Sequence, residues 1–283
     1  MLYIESEPKF GQMIIDLKDH ELIGLDTEFV RRDTYFAKLS LIQISTKNQI
    51  YVVDPLVVNV SKISEILLNR NITKIFHAPH QDLGIFYHDF GVITENIFDI
   101  QSAVKFLGIR NQISYQDACE KILNINIEKT QQFREWNLRP LSKEMIEYAA
   151  QDVLHLIPLF EKLKAKMEEK IIYKNFCHFM NEQFCKKEFY QLDFEDIWKK
   201  VKTNERNRSV VDNIKHLASY REECAIELDI PRLHVLSDEG LSLIAKKLPV
   251  NDRELNSLNL KLAMNNKQKQ KLYEICNGMR EVL

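Results

Sequence analysis

The 5 cysteines of this chain, Cys119, Cys177, Cys185, Cys224 and Cys276, are odd in number and scattered, and none form a C-x-x-C pair. That argues against a disulfide-stapled fold and a structural zinc site, and suits a reducing compartment. Glycine and proline are scarce, 7 of each in 283 residues, so the chain is neither linker-rich nor of low complexity. No internal repeat at a fixed period stands out. No apolar run reaches the roughly 18 residues that a membrane helix needs. The stretch from Met1 to His20 carries Glu5, Glu7 and Asp16 among its apolar residues and does not read as a secretory signal. The expected setting is the cytoplasm, away from membranes and with no obligate protein partner. Charge of one sign is lacking too: the net charge is −2. A protein coated in positive charge is thereby excluded, but a locally basic surface is not.

The length suits two domains. In the first half, Leu22–Asp26, Leu39–Ser45, Ile50–Val53 and Lys74–His77 read as strands. Val60–Leu68 and Gln81–Phe90 have helical spacing, the second ended by Gly91. Helices then dominate: Ile100–Leu107, Tyr115–Leu123, and a long one capped by Ser142, with Ile146, Ala149, Val153 and Ile157 as its apolar stripe and a kink expected at Pro158. This order predicts an α/β fold, a mixed sheet with helices packed on it. Ile171–Leu192 reads as a connecting helix. Short helices follow over Val210–Glu227, Glu239–Leu248, Asn251–Leu255 and Lys267–Met279, suggesting a compact accessory domain. The run Lys199, Lys200, Lys202, Arg206, Arg208, Lys215, Arg221 is either a solvated face or a nucleic-acid contact.

Three places carry chemistry. Asp26 and Glu28 lie two apart where the apolar strand Leu22–Leu25 runs out, so both face the same way. Co-facing acids at a strand end must be solvated or given a cation, and hard divalent ions take carboxylate oxygens. Asp82 sits in the first turn of a helix, where an acid is favourable whether or not it has another role; His77, at the preceding strand end, suits a packed histidine equally well. Tyr148 and Asp152, at i and i+4, place a phenol beside a carboxylate across the small Ala149 and Ala150. Taken singly, that pair reads equally as a helix surface with a snorkelling tyrosine.

The conjunction is more specific. Asp-x-Glu at a strand end, Asp at a helix start, then Tyr-x-x-x-Asp in a long helix resembles the tyrosine-containing branch of the DEDD exonuclease superfamily. Leu25-Asp26-Thr27-Glu28-Phe29-Val30-Arg31, Leu39-x-Leu41-Ile42-Gln43, Val53-Asp54-Pro55-Leu56, Phe98-Asp99-Ile100-Gln101, Trp136-x-x-Arg139-Pro140-Leu141 and Glu147-Tyr148-Ala149-Ala150-x-Asp152-Val153 are similar to the ribonuclease D family. The resemblance implies a ribonuclease H-like, DnaQ-like exonuclease domain over 1–167, a helical connector over 168–202 and an HRDC-like helical domain over 203–283. It implies that Asp26, Glu28, Asp82 and Asp152 hold two Mg²⁺ or Mn²⁺ ions, that Tyr148 positions the attacking water, and that Asp99 supports His77 or the sheet end. Thr27, Phe29, His77 and Arg139 are candidate substrate contacts. Arg31, Arg32, Lys38 and the basic run are candidate backbone contacts, and Phe29 and Tyr35 either stack a terminal base or pack in the core. The implied activity is 3′→5′ exoribonuclease on RNA with a single-stranded 3′ end, tRNA precursors in particular. Two departures stand out: Met145 where the family commonly has Gln, and one HRDC-like domain where some relatives have two. The rival readings are a DNA exonuclease with the same site and a non-catalytic RNA-binding protein.

Overall fold

The computed structural model describes residues 1–110, 112–127 and 135–281. They form two compact units: Met1–Val30 with Ala37–Tyr190, and Arg31–Phe36 with Gln191–Leu283.

The first unit is a mixed six-stranded sheet flanked by helices. In chain order come β1 (Leu2–Ile4), α1 (Glu7–Leu17), β2 (Leu22–Val30), β3 (Lys38–Ser45), β4 (Ile50–Val53), α2 (Ile63–Leu67), β5 (Thr73–Phe76), α3 (His80–Phe90), β6 (Ile97–Asp99) and α4 (Ile100–Phe106). Then follow α5 (Tyr115–Ala118), prolonged by a π-helical turn at Cys119–Leu123, α6 (Lys143–Leu154), α7 (Leu156–Glu169), α8 (Tyr173–Phe184) and α9 (Lys187–Tyr190). The strand order is β1-β4-β3-β2-β5-β6. β3 runs antiparallel to both its neighbours; β1 and β4, β2 and β5, and β5 and β6 are parallel pairs.

Alternation along the strands assigns the two faces. Ile23, Leu25, Ile42, Ile44 and Val53 join the large core with α1 and α3, while α7 packs on the opposite face, where Leu156 lies over Gly24 and Phe160 against Phe98. Leu41 and Val52, on the other face, pack under Ala149 and Ala150 of α6 and against Trp136. The strand lengths are unequal. β5 pairs β2 only at Leu22, Ile23 and Gly24, whereas β2 continues to Val30 against β3 alone. Beyond Gly24 the open side of β2 is a notch, and α3 begins beside it.

Several expectations are corrected. β1 and β6, only 3 residues long, carry too little periodicity to be read from sequence, whereas α1 went unread although Phe10, Met13, Ile14 and Leu17 bury one face at helical spacing. Ser142 does cap α6, accepting from the Met145 N–H. The expected long helix does not kink at Pro158, however. It breaks at His155 (φ −107°, ψ 6°), and Pro158 falls in the first turn of α7, where its missing N–H costs nothing. Ile157 therefore belongs to a different helix from Ile146, Ala149 and Val153.

The second unit holds a 3₁₀ turn at Ile197–Lys200, then α10 (Arg208–Leu228), α11 (Arg232–Val235), α12 (Asp238–Lys247), α13 (Asp252–Ser257) and α14 (Asn266–Glu281). Its core gathers Ile214, Leu217, Leu241, Ile244, Leu272 and Cys276. The connector expected over 168–202 is split. Phe176 and Phe184 of α8 bury into the first unit, while Ile197 and Val201 bury into the second. The loop 31–36, between β2 and β3, packs with the second unit. Tyr35 is 8% exposed, its hydroxyl donates to Glu222 (2.6 Å), and the Tyr35 and Phe36 N–H groups donate to Asp229.

Candidate active site

Three elements carry the candidate residues. β2 presents Asp26 and Glu28 on the α6 face, beyond the point where β5 stops. α3 presents Asp82 in its first turn. α6 presents Tyr148 and Asp152. Asp82 is buried; Asp26, Glu28, Tyr148 and Asp152 are half-buried, so the cluster opens to solvent.

Electrostatics shows that these groups share one site. Burial holds the Asp26 carboxyl well above the ordinary range, and the charges of Asp82, Asp152 and Glu28 raise it further. Glu28 is pushed up to about 8 by burial and by Asp152 and Asp82. Burial also raises Asp152 to about 7 and Asp82 to about 6, with the Thr27 hydroxyl pulling Asp82 back down. The Tyr148 phenol is pushed up to about 12 by burial and by Asp152, Glu28 and Asp26.

The donor set is hard and anionic, which fits Mg²⁺ or Mn²⁺ in kind. It is not a closed cage: among the described residues, no three ligating side chains stand together as a ready-made metal grip. Mg²⁺ characteristically uses one or two carboxylates, with waters and substrate phosphates completing its shell, so an open set of this kind can serve it.

The surrounding residues have definite tasks. Thr27, a candidate substrate contact, is 5% exposed and its hydroxyl donates to Asp82, so it orients an acid. Asp99 caps α4 through the Gln101 and Ser102 N–H groups and accepts from the Ala78 N–H at 2.8 Å. Ala78 has φ 57°, a left-handed conformation that costs a non-glycine residue, and Asp99 tethers that turn between β5 and α3. Asp99 thus holds the turn at the sheet end, and its charge also acts on His77, raising that histidine's pKa against the effect of burial. His77 Nε2 donates to the Ile113 carbonyl at 3.0 Å, and burial lowers its pKa, as expected of a packed histidine. Phe29 packs against the core edge.

Three candidate contacts are overturned. Every guanidinium nitrogen of Arg139 is engaged, with Asp54 and with the Ser40, Trp136 and Leu138 carbonyls. Asp54 is fully buried and also accepts from Tyr3, so Arg139 neutralises a buried acid and has no donor left for a phosphate. Tyr35 is buried in the helical unit and offers no face to a base. Arg221, read as part of the basic run, is 1% exposed and paired with Asp238 at 2.8 Å. Lys200, Lys202, Arg206 and Arg208 of that run are exposed.

Sequence reasoning missed Tyr115. Its hydroxyl donates to the Gln151 carbonyl (3.0 Å) and accepts from the His155 N–H (2.9 Å), spanning the helix break next to Asp152. The π-helical turn after it is a feature that recurs near functional sites, but it has no sequence signature.

Comparison with known proteins shows the family and the fold. The sequence matches the 3′-5′ exonuclease family over residues 1–168 and the HRDC domain over residues 212–271. It is 30% identical to ribonuclease D of Bartonella henselae, over 86% of this chain and 60% of that protein. With ribonuclease D of Nitrobacter hamburgensis the identity is 31%, over 90% of this chain and 67% of that protein. The chain thus spans 60% to 67% of the length of these relatives. Among solved structures, that of Escherichia coli RNase D, described as an exoribonuclease involved in structured RNA processing, superposes with a TM-score of 0.82 at 26% identity, covering 99% of this chain and 75% of that one.

Proposed function

This chain belongs to the ribonuclease D family of 3′-5′ exonucleases, and on that premise we propose that it shortens RNA from a single-stranded 3′ end, releasing nucleoside 5′-monophosphates. The observation that carries the reading is the meeting of Asp26, Glu28, Asp82 and Asp152 with Tyr148, each acid raised by burial in one open site. Asp26, Glu28, Asp82 and Asp152 would hold two divalent cations, Mg²⁺ or Mn²⁺. When bound, these supply a water nucleophile at neutral pH and neutralise the phosphate.

The remaining work falls to the chain. With no metal, four acids repel a phosphodiester, so activity should vanish with a chelator. Tyr148 keeps its proton at neutral pH and orients the attacking water through a hydrogen bond, without acting as a base. Thr27 holds Asp82, and Asp99 holds the turn leading to α3. The exposed cations Lys200, Lys202, Arg206 and Arg208 give modest, salt-sensitive grip on the RNA backbone. The natural substrates are tRNA precursors and other small structured RNAs in the cytoplasm.

The test is degradation of a 5′-labelled RNA with a single-stranded 3′ end, in Mg²⁺, Mn²⁺ or EDTA, beside Asp26→Ala. Stepwise shortening that disappears with EDTA and in the variant is expected. Absence of cleavage under either metal would sink the reading for RNA.

A further inference from the structure

Gln43 lies in the centre of β3, and it is fully buried. Neither its amide nitrogen nor its amide oxygen has a hydrogen-bond partner among the described residues. Buried polar side chains are nearly always satisfied, so an amide with both ends idle inside a sheet calls for an explanation.

Its position supplies one. The register places Gln43 directly opposite Asp26 in the β2–β3 pair and opposite Val52 in the β3–β4 pair. Cross-strand partners share a face, with Cβ atoms about 5 Å apart. Gln43 and Asp26 therefore both lie on the α6 face, where Leu41, Val52, Ala149 and Ala150 close the space around them. The Asp26 carboxylate receives the Thr27 backbone N–H, and its other neighbours, Asp82, Asp152 and Glu28, are carboxyl groups. The one neutral donor that the sheet itself sets across from Asp26 is the Gln43 amide. It needs only rotation about its own side-chain bonds to reach a carboxylate at that distance.

We propose that Gln43 is a positioning residue for the metal site: its amide N–H holds one oxygen of the Asp26 carboxylate and leaves the other turned toward the cation. A carboxylate with no such partner can swing between orientations, and a ligand that must be fixed on binding binds more weakly. A purely packing role fits Gln43 poorly, because Leu or Met would fill the same volume with no polar atoms to bury. This inference rests on the metal-dependent reading of the site, and its test separates the two.

The experiment follows the thermal melting of the whole chain in a Mn²⁺ titration, with no RNA, for the parent, Gln43→Met and Gln43→Asn. Kinetics on RNA are measured alongside. If Mn²⁺ leaves the parent's melting unchanged, the metal reading itself fails. If the parent responds, the Mn²⁺ concentration for half the melting shift should rise about tenfold or more in Gln43→Met, the usual scale for losing a partner of a metal ligand. kcat should fall by a similar factor, with KM for RNA within about twofold. Gln43→Asn keeps the amide but is one methylene short, and it should behave like the Met variant. It also serves if Gln43→Met does not fold. In an Asp26→Asn background, Gln43→Met should add nothing to the loss of metal response. A Gln43 variant that folds and takes up Mn²⁺ as the parent does overturns the proposal, as does one whose effects simply add to those of Asp26→Asn.

Discussion

At the scale of single residues, charge decides most outcomes. Glu28, Asp152 and Asp82, at about 8, 7 and 6, bind protons more tightly folded than unfolded. Their contribution to stability is complete below about pH 4 and is lost progressively as the pH rises toward about 8. In EDTA the melting temperature should therefore fall over that window, and Mn²⁺ should restore it. Asp152→Asn should flatten the slope and melt about 2–4 °C above the parent at pH 8, while losing activity; a variant that melts lower would contradict the account. Arg139→Ala strands the buried Asp54 and should cost about 3–5 kcal/mol in urea unfolding, with little change in KM for RNA. A shifted KM at unchanged stability would return Arg139 to the substrate. The acids were legible from sequence because spacing alone places Asp26 with Glu28 and Tyr148 with Asp152. Arg139 and Arg221 were misread, and Tyr35 was left open between stacking and packing, because a charge or a ring looks the same in sequence whether it faces water or a buried partner far along the chain.

At the scale of elements, the site depends on where helices stop. The break between α6 and α7 at His155 lies three residues past Asp152 and is held from two sides. Tyr115 bonds Gln151 and His155, and Ser45 Oγ donates to the Val153 carbonyl at 2.8 Å. Gly24 leaves room for this: a Cβ there would collide with Ser45 Oγ and come within 3.0 Å of Leu156 Cβ. Gly24→Ala should destabilise by about 1–3 kcal/mol and lower kcat more than it raises KM, because it pushes on the junction beside Asp152. An unchanged kcat at reduced stability would show that the junction does not transmit to the site. Strands β2 to β5 and most helices could be read from periodicity and caps. The break could not, since Ile146, Ala149, Val153 and Ile157 keep an unbroken helical rhythm across it.

At the scale of the whole molecule, residues 31–36 belong with a unit that otherwise begins at Gln191. The expected helical domain over 203–283 is smaller than this unit, because Ile197 and Val201 also bury into the helical core and residues 31–36 join it from far along the chain. Tyr35→Ala should cost about 3 kcal/mol or more, measured as earlier unfolding of the helical unit, by emptying an aromatic site and leaving Glu222 buried without its donor. A fragment of 203–283 should be less stable than the same helices in the full chain, whereas equal stability would show the loop to be dispensable. The loop also has a history in time. Tyr35 and Glu222 are 187 positions apart, and at about 5–20 residues per second a ribosome needs on the order of 10–40 seconds to cover that interval. Throughout it, the hairpin that carries Asp26 and Glu28 has a tip with nothing to dock on. The sheet itself is made early, but the loop between β2 and β3 meets Glu222 and Asp229 only once α10 has emerged.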